Sequence, residues 1–184
     1  MCHLLTAVHL IEHIMPVRHM NFIMTQFNMK TKELPIQFQI NGIKTEEFAI
    51  IEEAFAEKNK ETHYSLETRL GIPQAEVIVC SIGFKFIQNN IPFLKVRASC
   101  FFEIKKESWE STIDKESNNV VFPTYFTDHL VVITLGTLRG ILHAKTEGTK
   151  FNRFFIPTIN ITELRDDEEN LSISLADIPS KESR

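Results

Sequence analysis

The chain has little of what nucleic-acid and membrane partners require. Its 184 residues hold 20 Lys and Arg against 24 Asp and Glu, a net charge of -4, so no basic field is available to neutralise phosphates. The first stretch, Met1 to Met29, fails as a signal peptide because no basic segment precedes its apolar part and His9, Glu12 and His13 interrupt it. It is also too short and polar to span a bilayer. Motifs of catalysis are missing too: no G-x-S-x-G, P-loop, Rossmann glycine pattern, H-E-x-x-H or cysteine-histidine nucleophile signature occurs. Cysteine is limited to Cys2, Cys80 and Cys100, an odd number without C-x-x-C spacing, and two of these lie in apolar runs. They read as buried, reduced thiols of a cytoplasmic protein. With 1 Trp and 2 Tyr, the aromatic content is almost all Phe, of which there are 15. That is more adaptable apolar surface than one small core needs, unless Phe simply fills that core.

What is present reads first as strands. Ile36, Phe38 and Ile40 alternate with Gln37, Gln39 and Asn41, and the pattern resumes after Gly42 from Ile43 to Phe55. A second strand runs from Thr62 to Ile72, with Tyr64, Leu66, Leu70 and Ile72 on one face. A third, Ala75 to Gln88, puts Ile78, Cys80, Ile82, Phe84 and Phe86 on one side and Val77 and Val79 on the other. The tight Asn89-Asn90 turn leads into a fourth, Ile91 to Lys105, where Leu94, Val96, Ala98, Cys100, Phe102 and Ile104 alternate with Phe93, Lys95, Arg97, Ser99, Phe101 and Glu103.

The period then changes. Glu107 to Glu116 predicts a short polar helix around Trp109, and Phe122-Pro123 opens a longer helix to about Ala144, with Pro123 in its first turn. Leu130, Ile133, Thr134, Leu138, Ile141 and Leu142 recur at three and four, forming a stripe toward the sheet. Gly136 and Gly140 each cost about 1 kcal/mol of helix propensity relative to Ala, which predicts a close backbone approach or a break there. The expected organisation is an N-terminal extension over 1–33, disordered or upstream of a later translation start, an α+β domain over 34–164, and an acid-leaning disordered tail over 165–184.

Candidate chemistry is sparse. His9 and His13 share a helix face, with His3 and His19 nearby, but no carboxylate or thiol cluster completes a metal shell, so neither metal nor cofactor is expected. Asp128, His129 and His143 could supply a general base, with Thr146 and Thr149 as hydrogen-bond donors, only if they converge on one pocket. The stronger signal is the outer sheet face, which carries Val77, Val79, Phe93 and Phe101. Monomers rarely leave such a patch in water, so it is expected to receive apolar segments of other chains or a neighbouring subunit, unless another element of the chain covers it.

Three stretches together resemble the SecB family of export chaperones, and most nearly the SecB-like proteins of Bacteroidetes. These are Phe38-Gln39-Ile40 followed by Ile43, Thr45 and Glu47; the long strands from Val77 to Phe86 and Phe93 to Ile104; and Phe122-Pro123 opening the helix, with Pro157-Thr158-Ile159-Asn160 closing the domain. The run from Leu138 to Thr149 is similar to the SecB-like branch. The resemblance covers about Phe38 to Leu164 and implies a four-stranded antiparallel sheet with helices on one face, assembled as a dimer or tetramer. It further implies an ATP-independent holdase, not an enzyme, whose clients are unfolded preproteins or an antitoxin-like chain. The alternative is an interaction protein holding one fixed partner. SecB docks the SecA motor through acids on its sheet; here Glu47 matches the first, whereas Ile51 and Lys95 stand where others would be. Reversing a charge in a desolvated contact costs a few kcal/mol, which counts against docking of that kind.

Overall fold

Strand β4, Ile91–Ile104, is the spine of the domain because its alternate residues Leu94, Val96, Ala98, Cys100, Phe102 and Ile104 are all at most 1% exposed. The computed structural model describes residues 35–58, 61–161 and 170–179, all within the unit Leu34–Arg184. β1 (Phe38–Ile50), β2 (His63–Gln74), β3 (Val77–Gln88) and β4 form one antiparallel sheet in the order β1-β4-β3-β2. The Asn89-Asn90 turn joins β3 to β4 with positive φ at both residues (51° and 62°), the hairpin geometry that Asn tolerates.

Helix α1 (Lys106–Ser111) is shorter than its polar run predicts, since the chain turns at Thr112 into β5 (Ile113–Asp114), which pairs with β6 (Asn119–Phe122). Helix α2, Thr124–Thr146, then crosses the inner face of the sheet. Pro123 is its N-cap, with φ -65° and ψ 147°, one position before the first turn expected of it. The buried side of α2 holds Phe126, Leu130, Val131, Thr134, Leu135, Leu138 and Leu142, while Ile133 and Ile141 are only partly covered. Each fully buried Leu or Phe contributes roughly 1.5–3 kcal/mol of transfer free energy, and this face locks the helix to β3 and β4. Gly136 and Gly140 neither break the helix nor make a close approach: a Cβ at either would meet nothing within 4 Å.

Two expectations require correction. Phe93 is 0% exposed and belongs to the monomer core, not to the outer face. β3 pairs Phe86 with Leu94 but Ile87 with Pro92, so Phe93 is the extra residue of a β-bulge, and the alternation of the strand is reset there. The C-terminal stretch expected to be disordered contributes strand β7, Leu171–Ser174, and a 3-10 turn, Leu175–Asp177. β7 pairs antiparallel with β6, and Leu171, Leu175 and Ile178 pack on the core. The physical reason is the partner: the alternation Leu171-Ser172-Ile173-Ser174 is too short to hold a strand by itself, but it sets Leu171 and Ile173 opposite Phe122 and Val120 of β6. The histidine group His3, His9, His13 and His19 lies outside the described residues.

Candidate polypeptide-binding surfaces

Three of the four residues assigned to an outer apolar patch come together. Phe101 lies opposite Val79 across β4 and β3, and the same row continues to Gly42 on β1 and Gly71 on β2. The Phe101 ring lies over Gly42, where a Cβ would be 3.7 Å from its Cδ2, and Val79 lies over Gly71 at 3.5 Å. Glycine at both flanks leaves the pair in a shallow trough across all four strands. Val77, paired with Glu103, borders it and is itself buried at 8% exposure. Phe93 is not part of this surface.

Beside the trough the outer face carries paired charges. Arg97 reaches across Gly83 to Glu67, which also accepts from Arg69. Gly83 leaves room for this path, because a Cβ there would stand 2.6 Å from the Arg97 guanidinium and the side chain would have to shift. The Arg97 hydrogen bond first, and that of Arg69 second, hold the Glu67 carboxyl below its ordinary pKa. Glu46 accepts from Ser99 at 2.8 Å and from Ser81 at 3.5 Å. Glu47 lies 3.8 Å from Lys95, so the one acid that matches the motor-docking pattern already has a cationic neighbour.

The inner face offers a second apolar surface that sequence reasoning missed. α2 lies over β3 and β4 and reaches β1 at Phe38, through Phe126 and His129, but Ile40 (47%) and Ile43 (55%) further along β1 stay exposed on the helix side. β1 is 13 residues long and, among the described residues, pairs only with β4, leaving one edge unladdered. On the opposite edge Tyr64 is 58% exposed while stacking on Phe84. The alternation of Phe38 and Ile40 was visible; how far one helix reaches across a sheet was not.

The groups considered for catalysis do meet, but as a helix cap. Thr146 donates to the Leu142 carbonyl at 2.8 Å, Thr149 donates to that of Thr146 at 2.7 Å, and Asn152 Nδ2 lies 3.1 Å from His143 Nδ1 and 3.0 Å from Thr146 Oγ1. These bonds close the C-terminus of α2, whose last carbonyls otherwise lack partners. His129 instead packs its ring against Phe38 at 5.8 Å. Cys80 and Cys100 face each other across β3 and β4 with no exposed surface, and burial pushes the Cys80 thiol up to about 11. Among the described residues there is no metal-binding group of His, Cys, Asp and Glu, and no helix is long and apolar enough to cross a membrane.

These features define an α+β protein with a four-stranded antiparallel sheet, helices on one face and apolar surface on both. The strand count and helix placement are those implied by the SecB-like resemblance. No family model and no curated protein sequence matches the chain. Among solved structures, it is similar to the SecB-like chaperone of Mycobacterium tuberculosis in complex with a ChAD peptide from the HigA1 antitoxin. That likeness is 11% in sequence identity, spans 67% of this chain and 90% of the other, and has a TM-score of 0.39.

Proposed function

We propose that the protein is an ATP-independent holdase that binds extended, apolar segments of unfolded or unassembled polypeptides. The observation that carries this reading is the edge of β1, unpaired among the described residues, with Ile40 and Ile43 beside it. An unladdered strand offers main-chain hydrogen bonds to any extended chain, and exposed branched side chains next to it give apolar contact without demanding one sequence. The resemblance of Phe38 to Leu164 to SecB-like proteins supports the same class, with preproteins or an antitoxin-like chain as clients. Self-association as a dimer or tetramer belongs to this reading, since the same edge and the Phe101 trough can also meet a second copy. Docking of SecA in the manner of SecB draws little support from a Glu47 already beside Lys95.

The test is suppression of aggregation of a chemically unfolded reporter without nucleotide, with native mass measured in parallel. Suppression at near-stoichiometric ratios, lost in Ile40→Asp with Ile43→Asp, is the expected result. No suppression at tenfold excess, with the fold intact by circular dichroism, overturns the reading.

A second reading has one observation in its favour. The paired charges around Phe101 and Val79 are already oriented, an arrangement suited to a single folded partner of fixed shape. A partner that binds native protein, and is lost with Phe101→Ser but not with Ile40→Asp, would favour it.

A further inference from the structure

β5, β6 and β7 form a second, three-stranded antiparallel sheet in that order, in which the C-terminal stretch supplies the outer strand, β7. β6 carries Val120 and Phe122, both 0% exposed. Against them β7 places Ile173 opposite Val120 and Leu171 opposite Phe122, while Ser172 and Ser174 lie opposite Val121 and Asn119. Ile173 and Leu171 therefore share one side with Val120 and Phe122, while Ser172 and Ser174 share the other with Val121 and Asn119, the register of an amphipathic strand added to a sheet edge. Leu175 continues the pairing by donating its N–H to the Asn118 carbonyl at 3.1 Å.

Besides the main-chain ladder and the packing of Leu171, Leu175 and Ile178 on the core, the segment is held by side-chain hydrogen bonds: Asn119 Nδ2 donates to Ser172 Oγ at 3.1 Å, and the Thr124 N–H and hydroxyl donate to Asn170 Oδ1, each at 3.3 Å, at the first residue of α2. No residue of β7 is fully buried, and the strand is four residues long, so its own hold on the domain is short. Residues 162–169 tether it to the domain, and a tether raises local concentration to the millimolar range, enough to keep a weak ligand seated. A weak tethered ligand is one that an untethered chain can replace.

We propose that the β6 edge is a strand-acceptor site, closed by β7 in the resting chain and opened to an extended client segment with apolar residues at alternate positions when β7 leaves. This rests on the polypeptide-holding reading and adds a second client site together with its control. Displacing β7 removes Ile173 and Leu171 from beside Val120 and Phe122 and frees the β6 backbone at once, so apolar contact and hydrogen-bonding edge are offered together, while Trp109 and Phe126 still hold Phe122 from behind.

The test uses full-length protein. Leu171→Asp with Ile173→Asp displaces the tail; Val121→Cys with Ser172→Cys, in a Cys2→Ser background, locks it by a disulfide on the solvent side. The probe is a fluorescent peptide of residues 170–179, read by anisotropy, alongside reporter aggregation. The displaced variant is expected to bind the peptide at least about tenfold more tightly than unaltered protein, because it no longer carries a tethered competitor. The oxidised lock is expected to bind it more weakly and to recover on reduction. Equal binding by all three forms, with native circular dichroism, overturns the proposal. A displaced variant that doubles its native mass and ignores the peptide also overturns it, by giving the edge to a second copy. Peptide binding as expected, with no aggregation suppression by any form, supports the acceptor edge and sinks the holdase reading alone.

Discussion

The ring of Phe93 meets that of Phe154 edge to face at 4.9 Å, joining the start of β4 to the segment that follows α2. Phe55, Phe86 and Phe151 also have ring contacts with Phe93, and Arg153 lies over the Phe154 ring at 5.3 Å. One end of the domain is thus closed by an aromatic cluster drawn from four separate parts of the chain. Of its members, Phe93 alone was a candidate for surface on sequence grounds.

Phe93→Ala should therefore destabilise the monomer by about 3–5 kcal/mol, through lost transfer energy and an incompletely collapsed cavity. Urea unfolding followed by circular dichroism measures it. A change below about 1 kcal/mol would place Phe93 outside the core.

Phe101→Ser should behave differently. The ring is half-buried in a solvent-facing trough, so the fold should lose no more than about 1.5 kcal/mol while client capture or assembly weakens. Comparing unfolding midpoint with aggregation suppression in the same preparation separates the two effects.

Glu67 should titrate below an ordinary carboxylate. Because its folded pKa is depressed, its stabilising contribution is present above the unfolded value and is lost as pH falls through the folded one. Carbon-detected NMR of the carboxyl should show the midpoint rising in Arg97→Gln and in Gly83→Ala, where the new Cβ displaces the guanidinium. An unchanged midpoint in both would remove Arg97 as the cause.

Cys80, with its thiol pushed up to about 11 and no exposed surface, should resist alkylation by iodoacetamide at pH 8 in native protein. Modification should appear in step with unfolding in urea. Rapid labelling of folded protein would show that α2 opens away from the sheet.

The sequence by itself determined the four long strands and the central helix, because their periods are legible: two from Leu94 to Ile104, three and four from Leu130 to Leu142, and in β1 a period of two that breaks at Gly42 and resumes. It also determined that Val77, Val79 and Phe101 share a side, since strict alternation leaves no other arrangement over those stretches. Only the tertiary structure decided the rest. A bulge at Phe93 inserts one residue on one strand, and one residue is enough to turn a side chain from water to core. Exposure of Ile40 and Ile43 depends on where α2 stops covering the sheet, a distance between elements far apart in the chain. The strand at Leu171 forms because β6 presents Val120 and Phe122 to it, and a four-residue strand gains its stability from that partner and not from its own length.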